Sequence, residues 1–225
     1  MSYKAIIFDM DGTITDTEQL WHNAFAKMLE VRGIRLDRAE REKMIAGITG
    51  LGLGDKCRFI KDSFCLLEPL EELTHEKLTV ARQLYDSNIR LMDGFTDFHR
   101  KLGQRNLKSG VATNADEETL SITKKKLGLE KFFGDHIYGI ANVGNVGKPD
   151  PTIYLFVAHR LGVDPSNCIA IEDSAAGIAA AKGAGMFCIG LDPTRTGKQV
   201  AQADMTTGSY GEIDLDGLLS STPSV

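Results

Sequence analysis

Two aspartates stand two positions apart in Asp9-Met10-Asp11-Gly12-Thr13, directly behind the apolar run Tyr3-Lys4-Ala5-Ile6-Ile7-Phe8. Crowded carboxylates repel one another, and several ionise cheaply together only beside a cation. A hard divalent metal that takes oxygen ligands and keeps some of its waters meets that need, and magnesium suits it. In such an arrangement Asp9 and the distant Asp173 supply carboxylate oxygens. Asp11 offers its backbone carbonyl while its side chain points elsewhere, and Gly12 lets the chain turn sharply. Thr113, with free backbone N–H groups near the start of the helix behind it, can hold a phosphate oxygen. Lys148 sets a positive charge against phosphate and carboxylates alike. Together these parts fit phosphoryl transfer, in which positioning and charge neutralisation dominate. Asn114 has two readings, a substrate contact or a cap for the following helix. Glu172 has three: a direct metal ligand, a ligand through water, or a holder of Lys148.

These residues reach one place only if the chain brings them there. Each follows a short apolar run: Tyr3–Phe8, Ser109–Ala112 and Cys168–Ile171, with Ile137–Ile140 as a further strand before the loop that carries Lys148. Between the later runs lie helical stretches, Phe95–Arg105, Asp116–Leu127 and Ser174–Ala184, and one opened by Asp150-Pro151 and stopped by Gly162. A last strand is expected at Met186–Ile189. Alternating short apolar strands and helices predict a doubly wound parallel sheet, an α/β fold. In such a sheet ligands bind outside the carboxyl ends of the strands, which is where these polar residues fall.

Residues 34 to about 88 break that alternation, because they carry helical patterns and no strand signal. Thr15-Asp16-Thr17-Glu18 fits a capping box for a helix whose stripe is Leu20, Ala24, Met28 and Val31, ended by Gly33. Leu78, Ala81, Tyr85 and Ile89 make a second helical face. Gly47, Gly50, Gly52 and Gly54 read as a loop. The simplest account is an all-helical domain inserted after the first strand: 1–16 and 89–225 form the sheet domain, and 17–88 the insert. Trp21 and His22, on the first inserted helix, are candidates to line a substrate cavity, with packing as the alternative for Trp21.

The 225-residue chain carries a net charge of −5 and no long basic run, which speaks against non-specific nucleic-acid binding. No apolar stretch approaches the ~20 residues that span a bilayer, and the N-terminal apolar run stops too soon for a signal peptide. A cytoplasmic monomer with no nucleic-acid or membrane partner is expected. The four cysteines, Cys57, Cys65, Cys168 and Cys188, form no CxxC pair, so the last two read as buried small hydrophobes. Gly144-Asn145-Val146-Gly147-Lys148 brushes against a nucleotide P-loop, but the spacing is wrong and proline follows the lysine.

The segments FDMDGTITDTE, VATN, GKPDP and IEDSAAG resemble, in order, the four motifs of the haloacid dehalogenase superfamily. A helical insert directly after the first motif is similar to that of the β-phosphoglucomutase-like branch of phosphatases and mutases. The resemblance implies a Rossmann-like core with a helical cap that closes over the site and selects the substrate. It makes Asp9 the nucleophile that becomes an aspartyl phosphate, and Asp11 the acid, then base, for the leaving oxygen and the attacking water. It makes Thr113 and Lys148 the phosphate-holding pair and Asp173 a metal ligand. The activity so implied is a magnesium-dependent phosphatase for a small phosphorylated metabolite, a sugar- or nucleoside-type monophosphate. A β-phosphoglucomutase-type mutase is the nearest rival. A phosphoacceptor signalling module is a rival of another class, although it needs neither Asp11 nor a cap.

Overall fold

The computed structural model describes residues 3–48 and 53–220. The chain divides into two compact units, one running to Asp16 and again from Arg90 onward, the other Thr17–Ile89. No helix among the described residues is long and apolar enough to cross a membrane.

The first unit is built on β1 (Ala5–Phe8), β2 (Lys108–Ala112), β3 (Ile137–Tyr138), β4 (Cys168–Glu172), β5 (Phe187–Leu191) and β6 (Met205–Thr207), in the order β3-β2-β1-β4-β5-β6 with every pairing parallel. β1 and β4 are buried at every position, as strands covered on both faces must be. Alternate residues serve opposite faces. Ile6 and Phe8 pack with Phe95, Phe98 and Leu102 of α5 (Phe95–Gln104), while Ala5 and Ile7 pack with Ile153 and Val157 of α8 (Thr152–Leu161) and Ile178 of α9 (Ala175–Gly183). The remaining helices of this unit are α6 (Glu117–Leu127), α7 (Glu130–Phe133) and α10 (Leu215–Ser220). Cys168 and Cys188 are buried in strands and unpaired.

Register places the chemistry. Phe8 stands opposite Val111 on one side and Ile171 on the other. Asp9, Thr113 and the pair Glu172-Asp173 therefore leave the sheet at one edge. The sequence reading needs two corrections in this sheet and one in the turn that leaves it. β3 is two residues long, because the chain turns into a 3-10 helix at Ile140 rather than continuing as strand. β6 lacks an apolar run and was not expected. The hydroxyl of Thr15 does not cap a helix, since it donates to the Met10 carbonyl at 3.1 Å, and Thr17 precedes the next helix without a side-chain cap.

The second unit consists of α1 (Glu18–Val31), α2 (Arg38–Ile48), α3 (Leu53–Ser63) and α4 (Leu70–Asn88). Its core joins Phe25, Met28 and Leu29 to Met44, Ile48, Cys57, Ile60 and Leu73. Arg32 binds the Glu76 carboxylate with two nitrogens, at 2.9 and 2.6 Å, and Glu68 at 2.8 Å, pinning α1 to α4 and its approach loop. Val31 is not part of the α1 stripe: it is the last residue of the helix, past the core, and 74% exposed. Among the described side chains of α4 the buried ones are Leu73, Lys77 and Ala81, while Leu78 is half-buried and the side chain of Tyr85 lies outside the described residues. Gly47 and Gly54 are helical and not loop; Gly47 packs so closely on the Phe59 ring that a Cβ would collide with it. Thr49, Gly50 and Gly52 lie outside the described residues.

Candidate active site

Burial and register bring Asp9 to the centre of the sheet edge. Its backbone N–H continues the ladder to the Ile171 carbonyl at 2.9 Å, and its side chain is nearly sealed from solvent. The chain then wraps around one acceptor: the Met10 carbonyl takes the N–H groups of Ile14 and Thr15 at 2.9 Å and of Thr13 at 3.3 Å. Gly12 makes this wrap possible at φ +84°, a left-handed conformation that suits glycine. Asp11 is half-buried, and its Oδ1 accepts from the Thr15 hydroxyl at 3.4 Å.

Lys148 arrives from the loop before α8. Its Nζ donates to Asp9 Oδ1 and to Glu172 Oε1, both at 2.5 Å, and its side chain is 3% exposed. Of the three readings of Glu172, the one that makes it a holder of Lys148 is seen directly. Asn114 neither caps α6 nor stands free. Its Oδ1 accepts from the Lys148 N–H at 2.9 Å and its Nδ2 donates to the Lys148 carbonyl at 3.5 Å, while Asp116 caps the helix by accepting from the Thr119 N–H. Thr113 is buried at the end of β2, and its Oγ1 accepts from the Ala115 N–H at 3.1 Å. The side chain of Trp21 lies outside the described residues. His22 is buried within the helical unit.

One oxygen from each of Asp9, Glu172 and Asp173 lies within 4.8 Å of the other two. This oxygen-only set suits a hard divalent cation. The electrostatics point the same way. Burial pushes the Asp9 carboxyl up to about 7; Lys148 opposes the shift, and Glu172 and Asp11 add to it. Burial, with Asp9 and Glu172 beside it, raises Asp173 well above the usual carboxylate range. Lys148 is held above its ordinary value: burial works against its charge, but Asp9 and Glu172 outweigh it. One ammonium thus faces more acid than it can neutralise, and the surplus is what a divalent cation would offset. Asp11 contributes no carboxylate oxygen to this group.

Two residues at this site had no signal in the motifs. Tyr154, on the first turn of α8, donates its hydroxyl to Glu172 Oε1 at 2.7 Å. Tyr210, far along the chain, donates to the Thr13 carbonyl at 3.1 Å and fastens the turn after Gly12. A tyrosine in an apolar segment reads as core, and only the partner of its hydroxyl reveals more.

The sequence profile of the haloacid dehalogenase-like hydrolases matches residues 3–185. The chain belongs to this hydrolase family. Curated relatives of the hydrolase include a phosphorylated carbohydrates phosphatase of Thermotoga maritima, 32% identical over 81% of this chain and 82% of that protein. A β-phosphoglucomutase of Bacillus subtilis is 30% identical over 95% of this chain and 92% of its own length. Among solved structures, a family hydrolase from Deinococcus radiodurans with bound phosphate and sodium superposes with a TM-score of 0.79 at 25% identity, covering 98% of this chain and 99% of that one.

Proposed function

We propose that this hydrolase is a magnesium-dependent phosphatase that cleaves a small phosphorylated metabolite, of sugar- or nucleoside-type, through an aspartyl phosphate. The observation that carries the reading is the buried Asp9 carboxylate at the end of β1, with the Lys148 ammonium 2.5 Å from its Oδ1 and Asp173 in the same oxygen group. An Asp9 oxygen attacks phosphorus, forming an Asp9–O–P bond as the ester P–O bond breaks. Asp11 gives its proton to the departing oxygen. It then takes a proton from a water that attacks phosphorus and releases Asp9 and inorganic phosphate. Thr113 and Lys148 hold the phosphate oxygens, and Asn114 fixes the Lys148 backbone. A Mg2+ ion held by Asp9, Asp173 and the Asp11 carbonyl, with Glu172 at hand, supplies positive charge against the phosphate. Residues 17–88 act as the cap that selects the substrate.

The phosphorylated carbohydrates phosphatase among the relatives supports this reading, and membership in a hydrolase family favours turnover over a phosphoacceptor module. The β-phosphoglucomutase relative keeps the mutase as the second reading. A mutase handles a bisphosphate intermediate and needs a second anion site. Here the stretch after Thr113-Asn114 runs Ala115-Asp116-Glu117-Glu118, three acids that repel a second phosphate even through solvent. The test supplies β-glucose 1-phosphate with a trace of the 1,6-bisphosphate. Free phosphate as the main product is expected; glucose 6-phosphate forming faster than free phosphate would establish the mutase instead.

A further inference from the structure

Tyr154 is fully buried on the first turn of α8, yet it carries a hydroxyl that phenylalanine would fill without. Burying a hydroxyl is unfavourable unless it is hydrogen-bonded. This one donates at 2.7 Å to Glu172 Oε1, the same oxygen that receives Lys148 Nζ at 2.5 Å. The other oxygen, Oε2, accepts from the Ser174 hydroxyl at 3.1 Å and the Ser174 N–H at 3.4 Å. Each Glu172 oxygen therefore meets two donors. On its remaining side stands Gly177, where any Cβ would collide with that carboxylate. Glu172 has one orientation.

Lysine is a point charge on a flexible four-carbon stem, and its precision must come from outside. Lys148 obtains it from Asp9, from Glu172 and from the Tyr154 ring, whose centroid lies 5.0 Å from Nζ. We propose that Tyr154 is a positioning residue of the reaction: its hydroxyl orients Glu172, which aims the Lys148 ammonium at Asp9 and at the phosphate oxygen beside it. The proposal rests on the phosphatase reading above. Although Ser174 still holds Oε2, losing one of the two donors on Oε1 lets that oxygen shift. The ammonium then follows it, and misplacement by a fraction of an ångström is costly in rate.

The test is Tyr154→Phe, which keeps the ring and removes only the oxygen. Turnover of p-nitrophenyl phosphate with saturating magnesium is measured per folded protein, folding being checked by thermal melt. We expect kcat to fall about tenfold, the rate equivalent of ~1.4 kcal/mol, with KM changed less than kcat. The route through Glu172 is read from a double-mutant cycle. Glu172→Gln also lowers kcat, and adding Tyr154→Phe to it should cost little more. A Tyr154→Phe enzyme that melts earlier but keeps wild-type kcat overturns the proposal, because the hydroxyl would then serve stability alone. Additive losses in the cycle overturn it as well. Asp9→Asn is run alongside: if that variant keeps its turnover, the phosphatase reading has failed, and not the role of Tyr154.

Discussion

Gly12 and Asp173 share one small volume. The Asp173 carboxylate occupies the place where a Cβ on Gly12 would sit, and the Gly12 backbone at φ +84° is one that side chains resist. The turn after the first strand and the acidic residue after the fourth are thus fitted to each other, 161 positions apart in the chain by their numbers.

Gly12→Ala should therefore damage the site more than the fold. The new methyl strains the turn by roughly 1–3 kcal/mol and displaces Asp173. We expect kcat/KM to drop by about 100-fold, the scale of a misplaced catalytic group, with a thermal midpoint lowered by several degrees. An alanine variant within threefold of the wild type would show that the close approach is unimportant to turnover.

Asp9→Asn removes the attacking oxygen and keeps the shape. The Asp9 carboxyl is already pushed up to about 7 by burial, so an uncharged amide is tolerated there. Phosphate release should fall by roughly 10⁴-fold or more, while the melting temperature stays near or above that of the wild type. Substantial turnover by a folded Asp9→Asn protein would remove Asp9 from the nucleophile role.

Magnesium should be required for turnover, and its binding should also be visible without substrate. Chelation should abolish phosphate release and added magnesium should restore it. Calcium, with more ligands and longer bonds, should bind but support little turnover. Because only the folded site collects the oxygens of Asp9, Glu172 and Asp173, millimolar magnesium should raise the thermal midpoint. Asp173→Asn should weaken that rise. A midpoint indifferent to magnesium, together with full activity after chelation, contradicts the metal reading.

The strand-end residues were readable because a parallel sheet covered on both faces writes its strands as apolar runs that stop at polar residues. Ala5-Ile6-Ile7-Phe8 before Asp9, and Cys168-Ile169-Ala170-Ile171 before Glu172 and Asp173, show this directly. What escaped sequence reading lacks that contrast. Met205-Thr206-Thr207 is a strand by pairing with β5 and not by composition. Tyr154 sits in an apolar helix, and its sequence context reports the ring and hides the hydroxyl. Asn114 looked like a cap or a substrate contact, but its two bonds run to the Lys148 backbone, a partner 34 residues away. A lysine does not count towards an apolar stripe, so the sequence gives no core signal at Lys77, although it is buried on α4 between Leu73 and Ala81.

Lys77 should make the stability of the protein rise with pH between about 7 and 10. It is 4% exposed, its Nζ lies 5.5 Å from the centroid of the Phe25 ring, and its pKa is lowered to about 7. Burial is the main cause and Lys56 adds to it, with Cys57 acting weakly in the other direction. His22, in the same unit, is lowered to about 4 by burial and by the charges of Lys56 and Lys77. Unfolding returns Lys77 to an ordinary value of 10.5. Between pH 7 and 10.5 the unfolded chain therefore binds more protons than the folded one, and stability rises with pH across that window. Below pH 7 both states hold the proton, so the pH dependence ceases and the cost of burying the charge is present in full. Lys77→Met removes the titrating group and keeps most of the stem's packing. The variant should be more stable than the wild type near pH 7, and the gap should close as pH approaches 10. Denaturant midpoints for both proteins at pH 7, 8, 9 and 10 measure it. A gap that stays constant across that series would show that Lys77 is charged in the folded state throughout.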